Sequence, residues 1–250
     1  MLTLLAVAAG CLDAVSYLGL GQVLVAAMTG NTVLLGIALG QADAHAALRA
    51  TISLTGFVAG AFVGAAIVDR DARETIWSPG VTWALALELV ILVILTLAWQ
   101  ELEDRADWMI DYRYPLIVGA GFAMGLQSAA ARRIGVPGVA TTYITGTLTS
   151  LAARLVDWLR TPRPGAGDQA PNAGAPWLPA SVWIAYGAGA LFAGVVHLSW
   201  SPVVLPPLGR EVPWSSAALL LPISIIAAVI LIAAIVYRRS RAAGRNLPHR

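Results

Sequence analysis

The sequence predicts an all-α membrane protein built as a six-span bundle with two broken, re-entrant Thr-Gly segments, and three observations predict it. Of 250 residues, 58% are hydrophobic and only 12% charged, with a mean hydropathy of +0.74. That leaves too little polar surface for a soluble monomer of this length. Apolar runs such as VTWALALELVILVILTLAW from Val81 and AALLLPISIIAAVILIAAIVY from Ala217 have the length, about 20 residues, that a helix needs to cross hydrocarbon. The third observation is an internal repeat: AAMTGNTVLLGIA around Thr29 matches TTYITGTLTSLAA around Thr145. Each copy follows a first apolar segment and precedes two more, as a duplication would leave it.

Eight apolar segments can be marked, at 2–20, 22–39, 49–68, 80–99, 114–131, 136–156, 179–200 and 216–237. Trp77, Trp99, Trp158, Trp177, Trp200 and Trp214 fall near segment ends, where amphipathic rings favour the headgroup level. The first segment reads as a retained helix: AVAAGCLDA is faintly like a lipoprotein processing site at Cys11, but no Lys or Arg precedes it. From Arg160 to Pro179 the chain is rich in Pro, Gly and Ala and reads as an extended loop. One membrane domain is therefore expected over 1–237, with repeat halves 1–99 and 113–237, followed by a basic cytoplasmic tail at 238–250.

The span count decides how the halves relate. If the Thr-Gly segments enter and leave on one side, each half has three spans and the repeat is inverted. If all eight segments span, the halves are parallel. Arginine counting separates these weakly, with twelve on the cytoplasmic side against four for six spans and eleven against five for eight. Both place the C-terminus in the cytoplasm. Six spans are favoured because broken backbone at membrane depth is tolerated where protein or a polar cavity supplies partners.

All sixteen basic residues are arginine, five of them from Arg238 onward. This reads as a topology signal facing anionic headgroups, with no basic-aromatic pattern for nucleic acid. Cys11 is the only cysteine, and His45, His197 and His249 lack zinc-ligand spacing, so neither a disulfide nor a metal or cofactor site is expected. The acidic run from Glu101 to Asp111 reads as a solvated face. Gly56, Gly60 and Gly64 form a smooth stripe that suits close helix contact, within the chain or in a homo-oligomer.

Polar groups inside the apolar segments are the candidates for function. Asp13 lies well inside the first segment, with Gly10 and Tyr17 on the same helical face, and should meet a cavity or a partner. Glu88 sits mid-way along the fourth segment with no basic residue in that segment. Both acids are candidate proton couplers. Gln22, Thr29, Gly30 and Asn31 in the first half, and Gln127, Thr145, Gly146 and Thr147 in the second, could present hydroxyls, amides and a backbone break to a solute. Met28, Thr32, Thr141 and Thr142 are nearby. Neither Thr-Gly element is charged, so neither alone selects a strongly charged ligand.

GCLDAVSYLGLGQVLVAAMTGNTVLLGIAL together with AGFAMGLQSAAARRIGVPGVATTYITGTLTSLAARL resembles the YoaK-type family of bacterial multispanning membrane proteins. The resemblance implies an inner-membrane bundle of about six spans. It places the family's Asp on Asp13, its Thr-Gly-Asn on Thr29, Gly30 and Asn31, its Gly-Leu-Gln on Gly125, Leu126 and Gln127, and its second Thr-Gly on Thr145 and Gly146. Ser128 stands where the family commonly has Asn, and the loop before Trp177 is long. No substrate comes with the resemblance. The expected function is a small-solute transporter or channel, proton-coupled if Asp13 or Glu88 titrates. A non-transporting scaffold or sensor is the first alternative and an intramembrane enzyme the second, Asp13 and Glu88 alone defining no nucleophile or cofactor cradle.

Overall fold

The computed structural model describes residues 1–68, 77–103, 113–134, 144–159, 177–199, 203–204, 211–212 and 214–245. Its elements are α1 (Leu2–Gly19), α2 (Met28–Gly40), α3 (Ala44–Val68), α4 (Pro79–Glu103), α5 (Arg113–Ile134), α6 (Ile144–Leu159), α7 (Trp177–Ser199), β1 (Val203–Val204), β2 (Glu211–Val212) and α8 (Trp214–Arg245). The two strands pair antiparallel over two residues each and form no layer of the core. Six helices, α1, α3, α4, α5, α7 and α8, are long and apolar enough to cross a membrane. With 13 residues, α2 is only about 20 Å long at 1.5 Å per residue, and α6 is also short.

Several boundaries differ from those read in the sequence. The segment 22–39 becomes helical only at Met28, because the residues before it give their backbone N–H groups to other partners. The expected loop ends before Trp177, since Pro179 lies in the first turn of α7, where its missing N–H breaks no helical bond. At the other end α8 runs to Arg245, past the expected break after 237, through Arg and Ala residues that favour helix. Thr141, Thr142, the acidic residues from Asp104 to Asp111, the segment 160–176 and His249 lie outside the described residues.

Four contacts establish the helix directions. Arg49 Nε, near the start of α3, donates to Gly21 O just beyond α1 at 3.1 Å. His45 Nδ1 and Tyr114 Oη are 3.0 Å apart, so α3 and α5 begin at that same end. Leu2 and Ala6 at the start of α1 cluster with Ala131 and Ile134 at the end of α5, and Gln127 Nε2 donates to Leu5 O at 3.1 Å. Thus α1 runs antiparallel to α5 while α3 runs parallel to it. This is the six-span arrangement; eight spans would make α1 and α5 parallel.

Small residues let two helix pairs close tightly. A Cβ added at Gly60 would meet Phe122 O of α5, and one at Gly125 would meet Phe57 O of α3. The α1–α7 pair repeats the pattern, Gly189 against Val7 O and Gly10 against Tyr186 O. The stripe Gly56, Gly60 and Gly64 is therefore consumed inside the chain, backbone against backbone.

On α4 the buried positions Val81, Leu85, Glu88, Leu92 and Trp99 follow one helical face. Phe62, Trp83, Val58 and Leu191 point outward and are more than half exposed, the pattern of side chains facing lipid. Inside α8, Pro222 has no N–H for the carbonyl of Ala218 four residues earlier. The buried Cys11 Sγ of α1 donates to that carbonyl at 3.4 Å, so the lone cysteine supplies the partner that proline removes.

Candidate functional site

After α1 the chain reverses through Gly21 (φ +88°) and Gln22 (φ +63°). Both residues sit in the left-handed region, which costs glycine little and glutamine more. Val23 to Ala27 then return along α1 without regular secondary structure. Such a stretch packed against an apolar helix must find partners for its peptide groups.

Asp13 supplies most of them. Its Oδ1 accepts the N–H groups of Val25 at 2.7 Å and Ala26 at 2.6 Å, and its Oδ2 accepts that of Ala27 at 3.0 Å. The hydroxyl of Tyr186, from α7, donates to Oδ2 as well. A carboxylate on one helix thus caps the N-terminal end of another, where free N–H groups and the helix dipole both favour negative charge. Asn31 closes the other side: its Oδ1 accepts Leu24 N–H at 2.9 Å and its Nδ2 donates to Leu24 O, pairing the amide with one peptide unit as a neighbouring strand would. Nδ2 also donates to Ser53 Oγ at 3.0 Å, and that hydroxyl donates to Leu24 O at 2.6 Å. Residues of α1, α2, α3 and α7 meet in this one polar clasp.

The sequence-derived candidates divide around it. Asp13 and Asn31 are brought together and buried. Gly30 is half-buried under Leu24, whose Cδ1 stands 2.5 Å from where a Cβ would be. Thr29 is exposed in the first turn of α2, and Gln22 is exposed in the reversal. Gln127 is buried on α5 and bonded to α1. On α6, Thr147 is buried while Thr145 and Gly146 are exposed. Tyr17, expected beside Asp13, is 43% exposed; Tyr186 takes that place. Tyr186 and Ser53 were missed in the sequence, because an isolated Tyr or Ser in an apolar helix carries no local sign of a partner more than 20 residues away.

Glu88 has the opposite environment. It is fully buried, and neither carboxyl oxygen has a hydrogen-bond partner. Leu95 packs where a side chain on Gly119 would stand, so in the antiparallel α4–α5 pair Glu88 comes level with Leu126 and Gln127. Gln127 Oε1 is also unpartnered. Burying such oxygens without partners costs stability, so the Glu88 carboxyl contributes nothing evident to holding the bundle together, whereas Gln127 does so only through its Nε2. Among the described residues, no group of three or more His, Cys, Asp or Glu could hold a metal ion.

Comparison with known proteins agrees with this architecture. The family profile described as "Protein of unknown function (DUF1275)" matches residues 1–231. The chain is 36% identical over 156 residues to the UPF0700 transmembrane protein YoaK of Bacillus subtilis (strain 168), an alignment covering 60% of this chain and 64% of that relative. No solved structure matches. The chain therefore belongs to the YoaK/DUF1275 family of bacterial membrane proteins, as a multi-pass inner-membrane bundle of six spans.

Proposed function

We propose that the protein is a small-solute transporter or channel in which Glu88 carries a proton and the clasp around Asp13 holds a re-entrant half-helix. The observation that carries this reading is Glu88, an acid buried in a span with both carboxyl oxygens unpartnered. A purely structural bundle gains nothing from it, whereas a proton relay requires an ionisable group inside the membrane. Asp13, with every donor around it engaged, is the fixed point that lets the broken backbone sit at depth. Gln22, Thr29 and Gly30 flank that break, and Gln127, Thr145, Gly146 and Thr147 offer the second half's polar groups.

An inverted duplication underlies the reading. Gly10 and Gly125 face Tyr186 O and Phe57 O, while Gly189 and Gly60 face Val7 O and Phe122 O. This is the correspondence expected if α1 matches α5 and α3 matches α7. In that scheme α2 and α6 are the paired half-helices of an inverted-repeat transporter. Arg132 and Arg133 at the end of α5 and the arginines from Arg238 onward support a cytoplasmic side for that end and for the C-terminus.

The test is flux in proteoliposomes across a broad panel of small solutes under an imposed pH gradient. The reading expects at least one solute to move with the gradient, and Glu88→Gln to assemble normally yet lose the proton-driven part while keeping passive exchange. A parent protein that moves no solute, or a Glu88→Gln variant with an unchanged proton response, rejects transport or the role of Glu88 respectively.

A further inference from the structure

Glu88 lies on the buried face of α4, and the packing differs on its two sides along that face. Toward the start of α4 the face continues as Val81, Ala84 and Leu85, fully buried and apolar. Toward the end it meets a cavity of about 20 Å³ with walls from four helices, including Leu12 and Ser16 of α1, Leu92 and Trp99 of α4, Ala120 of α5 and Leu219 of α8. That is about the room one water needs. Leu92 stands one turn, about 6 Å, beyond Glu88, and Trp99 about 10 Å farther, which leaves about 6 Å of α4 before Glu103. Polar groups without partners flank the cavity. On one side are both carboxyl oxygens of Glu88; on the other are the buried hydroxyls of Ser215 and Ser216, four and three residues before Leu219 and so on its face of α8. Level with Glu88, residues 5–12 of α1, 56–64 of α3, 123–131 of α5 and 223–230 of α8 include no Asp, Glu, Lys, Arg or His, and the thiol of Cys11 is bonded to Ala218 O. No neighbouring charge therefore fixes the state of Glu88, and access of water becomes the decisive influence.

From this arrangement we infer that Glu88 exchanges its proton with the side on which α1 and α4 end, through the cavity between α1, α4, α5 and α8. Ser16, Ser215 and Ser216 serve as relays there, since a hydroxyl both donates and accepts. The inference rests on the proposed proton-carrying role of Glu88 and adds to it a side and a route. The competing route leads past Gln127, whose Oε1 is also unpartnered, toward the start of α4.

The experiment uses the full-length protein carrying Cys11→Ala and Gln22→Cys in sealed vesicles. An impermeant biotin-linked thiol reagent marks and recovers the molecules in which α1 ends on the outside. Dicyclohexylcarbodiimide enters through lipid and adds to a protonated carboxyl, giving an acylisourea that rearranges to a stable acylurea with no atom lost. It is pulsed while external and internal pH are varied separately, and modified Glu88 is quantified by peptide mass spectrometry, with Glu88→Gln as the unreactive control. In the recovered molecules, modification should fall about tenfold per pH unit once external pH passes the midpoint, and should ignore internal pH. Ala120→Leu, which narrows the cavity, should slow the response to an external pH jump several-fold, and Leu92→Ala, which widens it, should hasten the response. Thermal unfolding verifies that each variant is folded, and one folded variant suffices. The inference is overturned if modification follows internal pH or both sides equally, or if the folded variants respond at the parent's rate. Modification that ignores pH on both sides defeats the proton-carrying role of Glu88 itself, and the inference with it.

Discussion

Alanine at Gly10 or at Gly60 should destabilise the bundle by about 3 kcal/mol or more, the upper part of the range for overpacking a closed interface. At Gly60 the new Cβ would lie 2.0 Å from Phe122 O, and at Gly10 2.0 Å from Tyr186 O. Both obstacles are backbone atoms of a packed helix, so no side chain can rotate away and the helices must separate. Separation would cost the α1–α7 pair twice, because the Tyr186 hydroxyl bonded to Asp13 moves with its backbone. Gly36 and Gly187 are the controls: a Cβ there meets nothing within 4 Å. In a helix interior, alanine should stabilise those positions by roughly 0.5–1 kcal/mol. Thermal unfolding of the four single variants in detergent reads the contrast. Equal melting of Gly60→Ala and Gly187→Ala would remove the close approach from the account.

The two buried acids should respond to truncation in opposite senses. Asp13→Ala leaves three backbone N–H groups and the Tyr186 hydroxyl without their acceptor. Its expected cost is about 3–5 kcal/mol, by the measure of breaking a buried charged network from one side. Asp13→Asn should fall between, since the amide keeps one acceptor oxygen but turns a donor toward donors. Asn31→Ala, which leaves Leu24 N–H without its acceptor and Leu24 O with the Ser53 hydroxyl alone, should cost about 1–3 kcal/mol. Glu88→Leu removes a carboxyl that has no hydrogen bond, and apolar replacement of buried ionisable groups is commonly neutral or stabilising by about 1–4 kcal/mol. Denaturation of the purified variants checks the ordering. A Glu88→Leu protein that unfolds as readily as Asp13→Ala would make Glu88 a structural residue, and would take away the main support for its role in proton movement.

These contrasts mark where the sequence was legible. Long apolar runs and the glycine stripe are local signals with one physical reading, so the spans and the close α3 face could be read directly. The anomaly of Asp13 was visible as well, since a carboxylate in an apolar helix demands a partner. Its partner was not, because three of the four donors are backbone N–H groups that any residue carries, and the fourth comes from Tyr186, 173 positions away. Choosing Tyr17 followed helical spacing on one helix, whereas the carboxylate turned toward its neighbours. The start of α2 was placed too early for the same reason: Val23 to Ala27 are apolar enough to read as helix, and the competing bonds of their peptide groups to Asp13 and Asn31 keep them out of it.

The central structural claim is that α2 does not cross the membrane, so that α1 ends on the side where α5 begins. In a Cys11→Ala background, single cysteines at Gln22, Arg113 and Arg132 should be tested with a membrane-impermeant thiol reagent, applied to intact and to inverted vesicles. The account predicts that Gln22→Cys and Arg113→Cys are labelled from the same side and Arg132→Cys from the other. Labelling of Gln22→Cys and Arg113→Cys from opposite sides would contradict it, because α2 would then have to span and the Asp13 clasp could not hold a half-helix.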